Sequence, residues 1–238
     1  MNKILRFILR GIVGLLVLMG LLLVAVLFLP DMDNDQDGSI TTTITRSDGT
    51  TTTITTQGSA TVTRWGLVEA FRQQAEEGDP EGQFKLGMSY LEGEGLSMDK
   101  TLGIEWLRKS AEQQYVEAMF TMGEAYKDGN GVIANGIKAA IWYRKAAELG
   151  DAKAQNMLGV MYINGEGLSE DRAEGLKWIR MAVDQNYDNA QYALGQVYEY
   201  GLGVPEDLVE AGIWYKKAAE QGHEGARTRL EGLSAVPE

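Results

Sequence analysis

The chain has 238 residues, with 22 Lys plus Arg against 34 Asp plus Glu and a formal net charge of −12. That length suits one sizeable domain or two small ones, and so acidic a surface repels phosphate backbones, which argues against nucleic acid as a partner. There are no cysteines, so disulfide staples, thiol catalysis and thiolate metal sites are excluded, although no compartment is fixed.

Residues 1–10, MNKILRFILR, carry Lys3, Arg6 and Arg10 and no acid, and residues 11–29 are then uncharged and apolar up to Pro30. A helix of that length at about 1.5 Å per residue reaches about 28 Å, close to the hydrocarbon thickness of a bilayer. A cleaved signal peptide usually has a shorter apolar stretch and a small-residue cleavage site. The expectation is therefore an uncleaved transmembrane signal anchor, with the cleaved peptide as its alternative. Cations before the span and acids after it place the N-terminus in the cytoplasm and everything after Pro30 outside, as in a bacterial inner membrane facing the periplasm.

Residues 30–63 are acidic, then rich in threonine. Asp33, Asp35, Asp37 and Gly38 match positions 1, 3, 5 and 6 of an EF-hand-type loop. Position 12, which needs a bidentate carboxylate, is Ile44, and no helix-forming sequence comes after it. The aspartates read as a solvated acidic flank; weak calcium binding at Asp33, Asp35 and Asp37 is the other reading. The threonine-rich run favours strands, and Asp48-Gly49 favours a hairpin turn. A three-residue loop Ser47-Asp48-Gly49 would leave Ile40, Ile44 and Ile54 on one face. The segment is expected to be a polar stalk, with a hairpin as an option, holding residues 64–238 roughly 30 Å from the membrane if flexible.

From residue 64 a fixed period of 36 residues takes over: Trp106, Trp142, Trp178 and Trp214; Gly87, Gly123, Gly159 and Gly195; Tyr90, Tyr126, Tyr162 and Tyr198. Such a period means a solenoid. Each unit reads as two helices: the first carries L-G-x-x-Y and ends at a G-x-G turn. The second starts at an N-cap, Asp99, Asn135, Asp171 or Asp207. Gln114, Gly150, Asn186 and Gly222 stand at a left-handed helix stop, with Gln114 the poor fit. The glycine inside each first helix lets its partner helix approach closely, and the tryptophans are expected to fill the groove between units as core. The boundaries are 64–78 for an N-terminal capping helix, 79–114, 115–150, 151–186 and 187–222 for four repeats, and 223–238 for a C-terminal capping helix and tail.

The pattern A-x-x-x-L-G-x-x-Y-x-x-G-x-G-[VL]-x-x-D, followed by A-x-x-W and K-A-A-x-x-G, resembles the Sel-one-like repeat (SLR) family, a branch of the tetratricopeptide class. Repeats 2 and 4 match it closely, while repeat 1 departs at Gly82 and repeat 3 at Val183. The resemblance implies an all-α, right-handed α-solenoid of helix-turn-helix repeats whose first helices line a concave surface, and a chain that binds other proteins. The β-lactam activity attributed to cysteine-rich members is not carried over, because their cysteines are missing here.

Chemistry is sparse. The one histidine, His223, shares its register with Asp79, Tyr115, Asp151 and Tyr187 and reads as a surface residue. The G-x-G turns lie between helices and follow no strand, so they form no phosphate loop. The second-helix cations, among them Arg108, Lys109, Arg144, Lys145, Arg180, Lys216 and Lys217, complement helix dipoles. No enzyme, cofactor, metal or small-molecule substrate is expected.

The expected ligand is a protein or peptide in the concave groove. Resemblance to the family assigns that groove to positions two before the leucine, two after it, and five to six after it. These are Phe84, Met88, Leu91 and Glu92; Phe120, Glu124, Lys127 and Asp128; Asn156, Val160, Ile163 and Asn164; and Tyr192, Gln196, Glu199 and Tyr200. The other reading is that some of them touch the neighbouring repeat. The function expected is a membrane-tethered adaptor or scaffold outside the cytoplasm. The alternative is a periplasmic immunity or inhibitor protein that neutralises a toxic effector enzyme.

Overall fold

The computed structural model describes residues 39–45, 51–57 and 64–234. The apolar run 11–29, the aspartates Asp33, Asp35 and Asp37, the Ser47-Asp48-Gly49 loop and residues 235–238 lie outside the described residues. Among the described residues no helix is long and apolar enough to cross a membrane. The chain divides into two units, one ending at Thr61 and the other beginning at Val62. In the first unit β1 (Ser39–Thr45) pairs antiparallel with β2 (Thr51–Gln57), placing Thr45 opposite Thr51 and Thr42 opposite Ile54.

The second unit is helical: α1 (Arg64–Glu76), α2 (Pro80–Glu92), α3 (Lys100–Glu112), α4 (Val116–Asp128), α5 (Gly136–Glu148), α6 (Ala152–Asn164), α7 (Arg172–Asp184), α8 (Asp188–Glu199), α9 (Leu208–Glu220) and α10 (Glu224–Ser234). The pairs α2/α3, α4/α5, α6/α7 and α8/α9 are the four repeats, and each also packs on the next, so the core runs along the stack as in an α-solenoid. Helix ends follow local chemistry. Asp99, Asn135, Asp171 and Asp207 accept from free amides at the starts of α3, α5, α7 and α9, with oxygens 2.9–3.0 Å from the nitrogens. The second helices stop in left-handed residues, Gly150 and Gly222 among them, and Gln114 (φ 65°) and Asn186 (φ 60°) adopt the same conformation despite their side chains.

Two different solutions bring the helices of a repeat together. In repeats 1 and 3 glycine meets glycine. A Cβ at Gly87 would lie 2.9 Å from the Gly103 carbonyl oxygen, and one at Gly159 would lie 2.7 Å from that of Gly175. In repeats 2 and 4 the second helix has Ala139 or Ala211 in place of that glycine. The facing glycine is covered by an aromatic ring instead, at 2.6 Å (Gly123 to Tyr143) and 2.5 Å (Gly195 to Tyr215) from the position of a Cβ. The packing period is therefore two repeats. Gly82, which departs from the family pattern, is also explained: a Cβ there would fall 2.4 Å from that of Gln74 on α1.

The tryptophans do not form the centre of the core. Trp106, Trp142, Trp178 and Trp214 are half-buried, whereas the next residue in each repeat, Leu107, Tyr143, Ile179 and Tyr215, is fully enclosed at 0% exposure. One residue is a turn of about 100° on a helix, which carries the tryptophan to the flank of the contact. Three of these rings lie beneath a lysine one turn on, with ammonium-to-ring distances of 3.8 Å for Lys109, 4.1 Å for Lys145 and 3.8 Å for Lys217. Arg108 and Arg144 donate to the hydroxyls of Tyr126 and Tyr162 in the following repeat, at 3.3 and 2.5 Å. These second-helix cations thus bind aromatic groups and tie repeats together, beyond any service to the helix dipole.

Tyr143→Ala is expected to cost about 3–5 kcal/mol in denaturant unfolding, and Trp142→Ala less than half of that. Equal losses would contradict the assignment of Tyr143 to the core. Gln114→Gly should raise stability by about 1 kcal/mol by relieving a left-handed residue with a Cβ.

Candidate partner-binding face

The candidate residues project from the first helices α2, α4, α6 and α8, whose orientation the glycine contacts fix, and from Tyr200, the residue that ends α8. Their surroundings sort them into three groups. Leu91 and Ile163 are buried against the second helices: their Cγ atoms stand 2.9 and 2.8 Å from where a Cβ of Gly103 or Gly175 would be, so packing takes most of each side chain and leaves only an edge of Ile163 at the surface. Asn156 is also buried. Phe84, Met88, Phe120, Val160, Tyr192 and Gln196 are half-buried. Glu92, Glu124, Lys127, Asp128, Asn164 and Tyr200 are exposed, with Glu199 between the two groups. The position six after the leucine faces outward in every repeat. The position five after it is buried where glycine meets glycine, and is Lys127 or Glu199 where a tyrosine fills the contact.

The half-buried aromatics are engaged. Phe84 leans on Tyr115 (ring centroids 5.3 Å apart), Phe120 on Tyr143 (5.6 Å) and Tyr192 on Tyr215 (5.6 Å). Burial pushes the Tyr115 hydroxyl up to about 12, with Glu117, Glu81 and Asp79 adding to the effect, so it stays a neutral donor. On the exposed part of α4, desolvation raises the Glu124 carboxyl; Lys127 opposes it, Asp128 adds to it, and Lys153 of the next repeat opposes it.

The structure brings Val160, Ile163, Asn164, Gln196 and Tyr200 together. They line a depression of about 230 Å³ between α6 and α8, with Ile179 and Leu202 also contributing. Beside it lies a connected polar cluster. Gln196 donates to the Tyr192 hydroxyl (3.3 Å), the Tyr215 hydroxyl donates to Glu199, and Arg229 of α10 donates to Glu199 (3.3 Å). The Arg229 guanidinium also sits 5.8 Å from the Tyr200 ring centroid. Burial and then the bond to Glu199 drive the Tyr215 hydroxyl far above its ordinary range, so it keeps its proton. In repeat 2 the residue at the register of Glu199 is Lys127, an exposed cation that cannot accept, and the buried Tyr143 hydroxyl has no hydrogen-bond partner.

Sequence reasoning missed Arg229, Tyr215 and His223. His223 is not a free surface residue: its Nδ1 accepts from the Ala226 amide (3.0 Å), and its ring stacks on Tyr192 at 4.4 Å. Its register with the capping aspartates Asp79 and Asp151, which accept from Gly82 and Ala154 in the same way, was the available signal. Among the described residues there is no group of three or more His, Cys, Asp or Glu placed to hold a metal ion.

The Sel1 repeat model matches residues 80–115, 116–151, 152–187 and 188–223, more than half of the chain. The chain belongs to the Sel1 repeat family. Among solved structures it is similar to a protective antigen of uropathogenic Escherichia coli with an SLR fold (42% identity, TM-score 0.66, over 68% of this chain and 35% of that one). It is also similar to a Sel1 repeat protein from Oxalobacter formigenes (34% identity, TM-score 0.66, over 70% of this chain and 66% of that one). The chain thus spans about a third of the first relative's length and just under two thirds of the second's. No curated protein matches it.

Among the described residues of this Sel1 array α10 is followed by no second helix, and His223 caps its first turn. His223→Ala should speed hydrogen exchange of the α10 amides by roughly fivefold to tenfold, the equivalent of about 1 kcal/mol. His223→Asp, which restores the cap found at Asp79 and Asp151, should recover most of that protection.

Proposed function

We propose that this chain is a non-enzymatic scaffold that binds a protein or peptide on the concave side of its Sel1 array. The depression between α6 and α8 carries this reading. It sets apolar Val160 and Ile163 beside the polar Asn164, Gln196 and Tyr200, and an apolar anchor site rimmed by polar groups is how binding hot spots are built. The first helices suit a basic ligand. Together α2, α4, α6, α8 and α10 carry nine acids against five cations, while the second helices α3, α5, α7 and α9 carry seven acids against eleven cations. The same polarity favours the second reading, inhibition of a basic effector enzyme. Display outside the cytoplasm on the 11–29 anchor completes the proposal, supported by the flanking cations and acids.

Phe120 and Tyr192 are poor probes, because each packs on an enclosed tyrosine; Tyr200, at 49% exposure, is a good one. Tyr200→Ala and Gln196→Ala, in the full chain used as bait, should each weaken the captured partner by at least about 1 kcal/mol with melting unchanged. Normal binding by both variants overturns the groove assignment. A single tight partner with hydrolase activity, blocked on binding, selects the inhibitor reading. A reporter fused after residue 234 should be active outside the cytoplasm, and activity confined to the cytoplasm contradicts the anchor's orientation.

A further inference from the structure

The sequence contains three Asn-Gly pairs, Asn130-Gly131, Asn135-Gly136 and Asn164-Gly165. In such a pair the asparagine side-chain carbonyl lies within reach of the next amide nitrogen, and glycine puts no Cβ in the way. The fold treats the three differently. At Asn164 both partners are held: its side-chain amide donates to Glu166 (2.9 Å), and Gly165 donates its N–H to the Met161 carbonyl as the cap of α6. At Asn135 the side-chain oxygen caps α5, accepting from the Lys138 amide at 2.9 Å. Asn130 sits half-exposed in the turn between α4 and α5, flanked by two left-handed glycines, Gly129 and Gly131, each with φ 75°. Its main-chain N–H donates to the Ala125 carbonyl at 3.0 Å. Among the described residues neither its side chain nor the Gly131 amide makes a hydrogen bond. The adjacent Asp128-Gly129 pair is held as well, because Gly129 donates to Ala125 at 2.9 Å.

We propose that Asn130 is a modification site at which the chain deamidates spontaneously to aspartate and isoaspartate, with Gly131 as the nucleophile. The Gly131 nitrogen, deprotonated by hydroxide, attacks the Asn130 side-chain carbonyl carbon. A nitrogen–carbon bond forms, the bond from that carbon to Nδ2 breaks, and Nδ2 leaves as ammonia, which closes a five-membered succinimide. Water then opens the ring. Opening at the side-chain carbonyl yields aspartate, and opening at the main-chain carbonyl yields isoaspartate, whose peptide link runs through the former side chain. The two products differ in consequence. Aspartate adds a negative charge at the register where repeats 1 and 3 already carry Glu94 and Glu166, so the turn accepts it. Isoaspartate lengthens the main chain by a methylene just before Gly131. That glycine has no room to move: a Cβ on it would lie 2.7 Å from the Lys100 carbonyl oxygen and 2.8 Å from Cγ1 of Ile104, both on α3. The isoaspartate form therefore loosens the contact between repeats 1 and 2. Neither the protein partner nor the anchor enters this inference.

The test ages the full chain at mildly alkaline pH, digests it, and assigns the mass gain at each asparagine from fragment ions. In the folded chain Asn130 should convert roughly fivefold faster than Asn135 and roughly tenfold faster than Asn164. A capping bond must break first at Asn135, and two hydrogen bonds at Asn164. In denaturant the three rates should converge, because the dipeptide is the same. Isoaspartate methyltransferase should label position 130 of the aged chain, and Asn130→Gln, whose longer side chain disfavours the ring, should lose that label. Asn130→Asp should melt with the parent, whereas the isoaspartate fraction, resolved by chromatography, should melt lower. Conversion at position 130 that is absent, or no faster than at 135 or 164 in the folded chain, overturns the proposal. So does the same order of rates in denaturant, which would assign it to flanking sequence instead of the fold. An isoaspartate fraction that melts with the parent overturns the assigned strain at Gly131.

Discussion

The closeness of two helices at one register governs the helical unit. A glycine within a helix costs about 1 kcal/mol relative to alanine, yet Gly87, Gly123, Gly159 and Gly195 recur because a Cβ at any of them would collide with the facing helix. What lies opposite takes one of two forms: a glycine backbone with an aliphatic neighbour, or an alanine with a tyrosine ring. Either fills the same gap, so the stack stays regular while its side chains alternate. Leu107, Tyr143, Ile179 and Tyr215, all at 0% exposure, are the residues through which each first helix is held.

This alternation reaches the exposed side of the first helices. Where glycine meets glycine, the first helix must send Leu91 or Ile163 inward to complete the contact. Where a tyrosine fills it, the same position is released and carries Lys127 or Glu199. Repeat 4 exploits that release. Glu199 takes the Tyr215 hydroxyl and the Arg229 guanidinium, which fixes the wall of the depression beside Tyr200. The exposed first-helix surface therefore depends on the core solution of each repeat, and the two cannot be exchanged independently. The exposed pairs Ile137 and Ile141 on α5 and Val209 and Ile213 on α9 follow the same two-repeat rhythm.

The helices, their caps and their ends were legible because they depend on local chemistry repeated at a fixed spacing. Asp99, Asn135, Asp171 and Asp207 cap the second helices of their repeats. The role of the tryptophans was not legible: periodicity gives a register but not which of two adjacent bulky residues points to the centre, and here the rotation of one residue favours Tyr143 over Trp142. The candidate site's geometry was legible in part. Val160, Ile163, Gln196 and Tyr200 do come together, while Asn156 and Leu91 are buried. Arg229 was out of reach because it approaches from α10, which lacks the full motif, and its contact with Glu199 spans 30 residues.

In the function proposed, a fixed glycine-spaced frame presents a variable first-helix face to a protein ligand. A photo-activatable amino acid placed at position 200 in the full chain, expressed in its native setting, tests this directly. The account predicts one discrete crosslinked partner at position 200, lost when Val160→Asp alters the opposite wall of the depression. A chain that yields no adduct at position 200, yet crosslinks a protein from a probe at position 141 on the second helix α5, would contradict it.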